Sequence, residues 1–258
     1  MATALITGGT SGIGHAFARE LAAKGSDLVL VARDAQRLES VAEELRAKHG
    51  VEIEVIAADL ADRSQVLKVA ERVEDPDRPI DLLVNNAGFG LHTTLLDPAD
   101  IDVHAKALDV MCLAVLILGG AAGRAMGARG HGRIINVSST AGTIYTGNYS
   151  AVKAWCTTYS QGLGVELRDK GVTVTALCPG WVRTEFHQRA GIRATTLPAI
   201  VWISPETLVR GALADAEKGR YVSVPTVKWK IAYFISVHAP RRFIRWFSRA
   251  LSASRRKK

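Results

Sequence analysis

Short apolar runs alternate along this chain with longer segments in which apolar residues recur every third or fourth position. Ala4–Thr7 and Val51–Ala57 carry the short pattern, and Leu28–Ala32 (LVLVA) is continuously apolar, as expected of a strand buried on both faces. Ile80–Val84, Arg133–Val137, Val172–Leu177 and Tyr221–Val224 add four more strand-like runs. Between them lie helical patterns at Ile13–Lys24, Ala35–Lys48, Arg63–Val73, Tyr149–Asp169 and Glu206–Glu217. A long helix is predicted within Ile101–Met126, and its apolar stretch around Val110–Gly120 reads as a buried helix. In Ala35–Lys48, Leu38, Val41, Ala42 and Leu45 form one stripe. The order β-α-β-α without a break predicts an α/β fold: a doubly wound parallel sheet of about seven strands, with helices on both faces and right-handed crossovers.

At 258 residues, with no repeat or linker, one domain is expected. Residues 1–225 would form its body and 226–258 a basic extension. No basic leader precedes an apolar run at the N-terminus, and no run of about 18 uninterrupted apolar residues exists. The three cysteines, Cys112, Cys156 and Cys178, are too scattered for a disulfide framework and read as small buried thiols. A reducing, cytoplasmic setting is the expectation, with the membrane surface as a second one because of the extension described below.

The net charge of +8 changes meaning once it is located. Ten of the 33 Lys and Arg lie in 226–258, which has no Asp or Glu. Residues 1–225 keep 23 basic against 25 acidic side chains, a net of −2. A whole-protein affinity for nucleic acid is therefore not implied.

Candidate chemistry begins at Thr7-Gly8-Gly9-Thr10-Ser11-Gly12-Ile13-Gly14, between the first strand and the first helix. Glycines allow a tight turn and close approach to a pyrophosphate, which the helix N-terminus attracts. The spacing Gly8-x-x-x-Gly12-x-Gly14 is not the general G-x-G-x-x-G, and a glycine cluster alone reads equally as a turn. Its strand–turn–helix context makes dinucleotide binding the expectation. Arg33 ends the second strand, where a guanidinium suits a 2′-phosphate, with Arg37 as support. This favours NADP(H), with NAD(H) as the alternative. Asp34 weighs the other way, and both arginines as solvated surface charges is the plain reading.

Tyr149 and Lys153 stand four residues apart on one helix face. A nearby ammonium favours the phenolate and so suits a phenol to acid–base work. Their helix follows the strand Arg133–Val137, whose end carries Ser138 and Ser139. Ligands of open α/β sheets lie at such carboxyl ends, where a serine hydroxyl can polarise a carbonyl.

With these pieces in order, the chain resembles the short-chain dehydrogenase/reductase family. The resemblance rests on Thr7–Gly14, Asp59-Leu60, Asn85–Gly88 (NNAG), Ser138-Ser139, Tyr149 with Lys153, and Pro179-Gly180 followed by Thr184. It implies a Rossmann fold and hydride exchange between a nicotinamide and a ketone or secondary alcohol. By position it makes Tyr149 the acid–base group, Lys153 its partner and a ribose ligand, and Ser139, in preference to Ser138, the carbonyl polariser. Asp59 and Leu60 would flank the adenine, and Asn86, Ala87 and Gly88 would support the adenosine side. Pro179, Gly180, Val182 and Thr184 would lie along the nicotinamide and its phosphate. The family resemblance favours a homodimer or homotetramer through the helices at 101–126 and 149–169.

Two departures stand out. Met111 occupies the place where the family usually has an Asn that holds a relay water. Ser139 and Tyr149 are ten residues apart, shorter than the family's usual spacing, with the deletion in Thr143–Gly147. A non-catalytic dinucleotide-binding module is the alternative that Met111 prompts. Phe89, His92, Tyr145, Trp181, Phe186 and His187 follow cofactor-side strand ends and are candidate substrate-cleft residues, with ordinary packing as the alternative. His15, His92, His131 and His187 have no metal-ligand spacing, so no metal is expected.

In the extension, Arg241–Leu251 places Phe243, Ile244, Trp246, Phe247, Ala250 and Leu251 on one helical arc. Arg241, Arg242, Arg245 and Arg249 fall opposite, Pro240 precedes, and the apolar run Trp229–Val237 lies upstream beside Lys228 and Lys230. Such a segment either lies in an anionic membrane interface or covers the substrate pocket or a partner subunit. An apolar, lipid-like ketone (a 3-oxoacyl chain or a steroid-like compound) is the expected substrate.

Overall fold

The computed structural model describes residues 2–91, 93, 95–184 and 199–256. Seven parallel strands form the central sheet in the order β3-β2-β1-β4-β5-β6-β9. They are β1 (Thr3–Thr7), β2 (Asp27–Ala32), β3 (Ile53–Ala57), β4 (Leu82–Asn85), β5 (Gly132–Val137), β6 (Val172–Leu177) and β9 (Val222–Ser223). Strand side chains alternate between faces, so each continuous apolar run feeds two cores at once. Ile6, Leu28, Leu30 and Ile135 enter one core with α1 (Gly12–Ala23), α2 (Ala35–His49) and α7 (Pro205–Glu217). Leu5, Val29, Val31, Leu83 and Ile134 enter the other with α3 (Arg63–Glu74) and α5 (Ala114–Arg129). The stripe Leu38, Val41, Ala42 and Leu45 is the buried face of α2.

Three elements differ from the sequence expectations. The helix expected within Ile101–Met126 is α4 (Ile101–Leu108) and α5, joined by a π-helical turn at Asp109–Leu113. Pro98–Arg129 is long and apolar enough to cross a membrane by length and composition. Leu118, Ala121, Ala122 and Met126 instead bury it against the sheet. Two further strands, β7 (Trp181–Val182) and β8 (Trp202–Ile203), pair as a separate ribbon. The apolar run after residue 226 is a helix, α8 (Val227–His238), and the last helix, α9 (Arg241–Arg256), follows Pro240 directly. Helix α6 spans Asn148–Glu166.

Candidate functional site

All seven strands point the same way, so their carboxyl ends share one edge of the sheet. The strand order reverses between β1 and β4, which makes the switch-point crevice where ligands of such folds sit. Every motif singled out from sequence in the described residues leaves a strand at this edge or flanks it.

The glycine loop turns out of β1 with Gly8 at φ +68° and Gly12 at φ +55°, both in the left-handed region that glycine tolerates. A Cβ at Gly14 would collide with the Gly8 carbonyl and the Asn86 amide. Ser11 does not cap α1 with its side chain, whereas Asp34, Asp62 and Ser204 cap α2, α3 and α7. The first-turn N–H groups of α1 are thus left uncapped, in a helix with no acidic residue in that turn. Thr184 closes over this end: a Cβ at Gly12 would meet its side chain at 3.4 Å. Close backbone, a helix N-terminus and a first turn without a carboxylate fit a dinucleotide pyrophosphate.

Asn86 holds this loop in place. Its backbone N–H donates to Thr7 Oγ1 at 2.9 Å, and its Nδ2 donates to the carbonyls of Thr7 at 2.9 Å and Gly8 at 3.3 Å. The Ala87 N–H also donates to Thr7 Oγ1, at 3.0 Å. The side chain expected to support the adenosine is therefore engaged in tying β4 to the glycine loop. Gly88 packs against Met111, whose Sδ would lie 2.9 Å from a Cβ there.

At the adenine end, Arg33 stands exposed just past β2. Asp34, which weighed towards NAD(H), accepts the Arg37 N–H at 3.0 Å as the cap of α2. Asp59 accepts from the Ala61 N–H at 3.1 Å and from Lys106 Nζ at 3.3 Å. Desolvation alone would raise its pKa, but these donors and the Arg33 charge hold its carboxyl below the ordinary value. The side chains of Leu60 and Val182 are buried, Leu60 in the core with α3 and α5 and Val182 in the core with α1, α2 and α7.

The two serines after β5 separate cleanly. Ser138 is buried, and its Oγ donates to the Lys153 carbonyl at 2.6 Å and lies 2.6 Å from Thr157 Oγ1. Ser139 is half-buried at the edge, and its Oγ accepts the Ala141 N–H at 3.1 Å. That bond fixes the oxygen while its own hydroxyl proton remains to be donated. Lys153 is buried on α6 and donates to the Val137 carbonyl at 2.8 Å. Its Nζ lies 5.7 Å from the centroid of the Tyr149 ring. β5 and α6 thus bring Ser139, Tyr149 and Lys153 to one place. A linear buried relay backs them: Asn85 Nδ2 donates to Asn136 Oδ1 and Asn136 Nδ2 to Ser160 Oγ, each at 2.9 Å.

The shortened loop after Ser139 is walled by the C-terminal helices. Thr143 Oγ1 and Ser236 Oγ are 2.6 Å apart, and the Tyr145 N–H donates to Ser248 Oγ at 3.0 Å. Trp229 lies against Gly180 so closely that a Cβ there would clash, and its Nε1 donates to the Val201 carbonyl at 3.0 Å. Pro179 is buried behind it, accepting the Thr140 N–H at 3.0 Å. Trp181 meets Trp202 edge-on at 5.8 Å, and Phe89 packs at the rim of the same core as Tyr149. Tyr145 is exposed. His92, Phe186 and His187 lie outside the described residues. Sequence reasoning missed Trp229, whose only signal was its place in an apolar run, and Lys106, which carried none.

Known proteins with matching features are short-chain dehydrogenases. The sequence profile described as short chain dehydrogenase matches residues 2–193. The very-long-chain 3-oxoacyl-CoA reductase of Anas platyrhynchos is 33% identical over 82% of this chain and 68% of its own length. A short-chain dehydrogenase from Sphingobium yanoikuyae, solved in complex with NADPH, superimposes with a TM-score of 0.82. It is 34% identical, over 90% of this chain and 92% of its own. The bulky-bulky ketone specific alcohol dehydrogenase from Comamonas testosteroni gives a TM-score of 0.79 and 31% identity, covering 90% of each chain.

Proposed function

Because the chain belongs to the short-chain dehydrogenase family, and is therefore an oxidoreductase with a nicotinamide cofactor, we propose that it interconverts an apolar ketone and its secondary alcohol with NADP(H). The observation that carries this reading is the meeting of Ser139, Tyr149 and Lys153 at the carboxyl edge of the sheet. NADP(H) is favoured by exposed Arg33, and by Asp34 being engaged as a helix cap. The apolar substrate is favoured by Phe89, Trp181 and Tyr145 around the cleft, and by the names of the reductase and the ketone-specific dehydrogenase above.

When bound, the nicotinamide supplies the hydride that the carbonyl carbon takes up. The chain's own residues handle the oxygen. Ser139, its Oγ fixed by the Ala141 N–H, donates its hydroxyl proton in a hydrogen bond to the carbonyl oxygen. Tyr149 transfers its phenolic proton to that oxygen, so the C=O becomes CH–OH. The Lys153 ammonium, anchored on the Val137 carbonyl, stabilises the phenolate left behind, and its remaining donors are available to a ribose hydroxyl. Met111 is apolar and buried against Gly88, so its side chain offers no strong hydrogen bond to a relay water, and half-buried Tyr149 would regain its proton from solvent. The first-turn N–H groups of α1 would hold the pyrophosphate, and Arg33 the 2′-phosphate. A non-catalytic module, the reading that Met111 prompts, is not favoured, since the relatives are named as reductases and dehydrogenases. Exposed Leu116 on α5 and Val165 on α6 support assembly through those helices.

The test is turnover of a ketone panel with NADPH and NADH in parallel. Tyr149→Phe is expected to lose about 10²–10⁴-fold in kcat while still binding NADPH. Arg33→Ala is expected to raise the KM for NADPH by roughly 10–100-fold and leave that for NADH unchanged. Full turnover by Tyr149→Phe would overturn the mechanism.

A further inference from the structure

The last helix presents three faces, not the two expected from its sequence. At about 100° per residue, Ile244, Ser248 and Leu251 line up on one side. Ile244 and Ser248 are buried, and Ser248 Oγ receives the Tyr145 N–H. This narrow stripe attaches α9 to the body. Phe243, Trp246 and Phe247 fall on the next arc and stay exposed, Trp246 by 64%. Arg242, Arg245 and Arg249 occupy the third arc, all exposed. Helix α8 repeats the first two of these faces. Trp229, Tyr233 and Ser236 face inward, while Val227, Ile231, Phe234 and Ile235 stand exposed, Phe234 by 61%. The apolar arcs of both helices therefore do not cover the substrate cleft, and their large side chains sit in water.

Charge selects what would cover them. Residues 226–258 hold ten Lys and Arg and no carboxylate side chain. A second copy docking isologously would set this face against itself and bring arginines onto arginines. A nucleic acid would take the arginines but offer nothing to Ile231, Phe234 and Ile235. An anionic lipid surface takes both: the aromatic and aliphatic side chains enter the acyl boundary and the arginines reach the headgroups. We propose that α8 and α9 form a peripheral docking surface for an anionic bilayer.

Flotation of the full chain with vesicles tests this. Phosphatidylcholine vesicles containing about one-third phosphatidylserine are compared with phosphatidylcholine alone. The protein is expected to float with the anionic vesicles, to stay largely behind with the neutral ones, and to be released at about 0.5 M salt. Arg242→Glu/Arg245→Glu/Arg249→Glu and Phe243→Ser/Trp246→Ser are each expected to lower binding at least roughly tenfold. Their circular dichroism and their turnover of a water-soluble ketone should match the parent, which shows that they fold. Failure to float, equal flotation of the variants, or salt-insensitive binding to neutral vesicles would each overturn the proposal. So would concentration-dependent self-association lost in the Phe243/Trp246 variant without vesicle binding, which would assign the face to a second copy. Flotation by a chain that turns over no ketone would leave this inference standing and remove the proposed reaction instead.

Discussion

Ser138 and Ser139 are chemically identical and adjacent, yet the fold gives them opposite work. Ser138 is buried and hydrogen-bonded into α6, while Ser139 is offered at the edge of the sheet. Truncating a buried hydrogen-bonded hydroxyl leaves partners unsatisfied, at a cost of about 1–3 kcal/mol. Ser138→Ala is therefore expected to lower the denaturant midpoint. Ser139→Ala loses only its half-buried bond from the Ala141 N–H, so it should lower that midpoint less than Ser138→Ala does and lower kcat, by roughly 10–10³-fold if its donor acts as an oxyanion-stabilising group. The reverse pattern in urea unfolding and steady-state kinetics would exchange the two roles. This assignment was only half legible in the sequence. The pair was visible as candidates, but which hydroxyl is engaged depends on the helix that packs behind it. Asp34 teaches the same lesson: its sequence position argued about cofactor charge, and its structural position makes it a helix cap. The thiols follow local packing too. Cys178 is buried and desolvation pushes its pKa up to about 11, while Cys112 is only half-buried, with desolvation raising it to about 11 as well.

Elements were legible where burial imposes a period and invisible where it does not. The strands β1, β2 and β4 announce themselves because they are buried on two faces and read as apolar runs. The ribbon β7–β8 has two residues per strand, too few for any period, and the π turn at Asp109–Leu113 has no distinct composition. Helix α8 was seen only as an apolar run, because both its inward and its outward faces are apolar and no stripe stands out. The site, by contrast, depends on the relation between elements. Asn85, Asn136 and Ser160 connect β4, β5 and α6 in a dry interior, and Ser160 Oγ closes onto the Cys156 carbonyl at 2.6 Å. Such a network is costly when half-satisfied. Asn136→Leu, which removes the middle member, orphans Asn85 Nδ2 and takes one of two bonds from Ser160 Oγ, is expected to destabilise the protein by about 2–4 kcal/mol. It should also lower kcat in the residual folded fraction, because the same network registers α6, and with it Tyr149 and Lys153, against Ser139. A thermal-melt midpoint equal to the parent's would show that the network does not hold these elements together.

At the scale of the whole molecule, the charge division and the cleft wall belong to one structure. The body is nearly neutral, and the basic excess follows residue 226, in the stretch whose two helices also hold the loop beside Ser139. Thr143 meets Ser236 on α8 and Tyr145 meets Ser248 on α9, so both C-terminal helices are hydrogen-bonded to the loop that follows Ser139. A bilayer bound on the outer faces of α8 and α9 would therefore lie roughly one helix diameter, 10–12 Å, from this loop, and an apolar ketone is far more concentrated in the membrane than in water. Turnover of a long-chain ketone carried in anionic vesicles is accordingly expected to fall several-fold in the Arg242→Glu/Arg245→Glu/Arg249→Glu protein. A short, water-soluble ketone should be reduced at the parent rate by both proteins, because Ser139, Tyr149 and Lys153 are untouched. High salt should reduce the difference between the two proteins on the long-chain substrate, since screening weakens the headgroup attraction without altering the cleft. Equal rates on the vesicle-borne ketone at low salt would separate docking from substrate delivery and leave the C-terminal helices as a wall of the cleft alone.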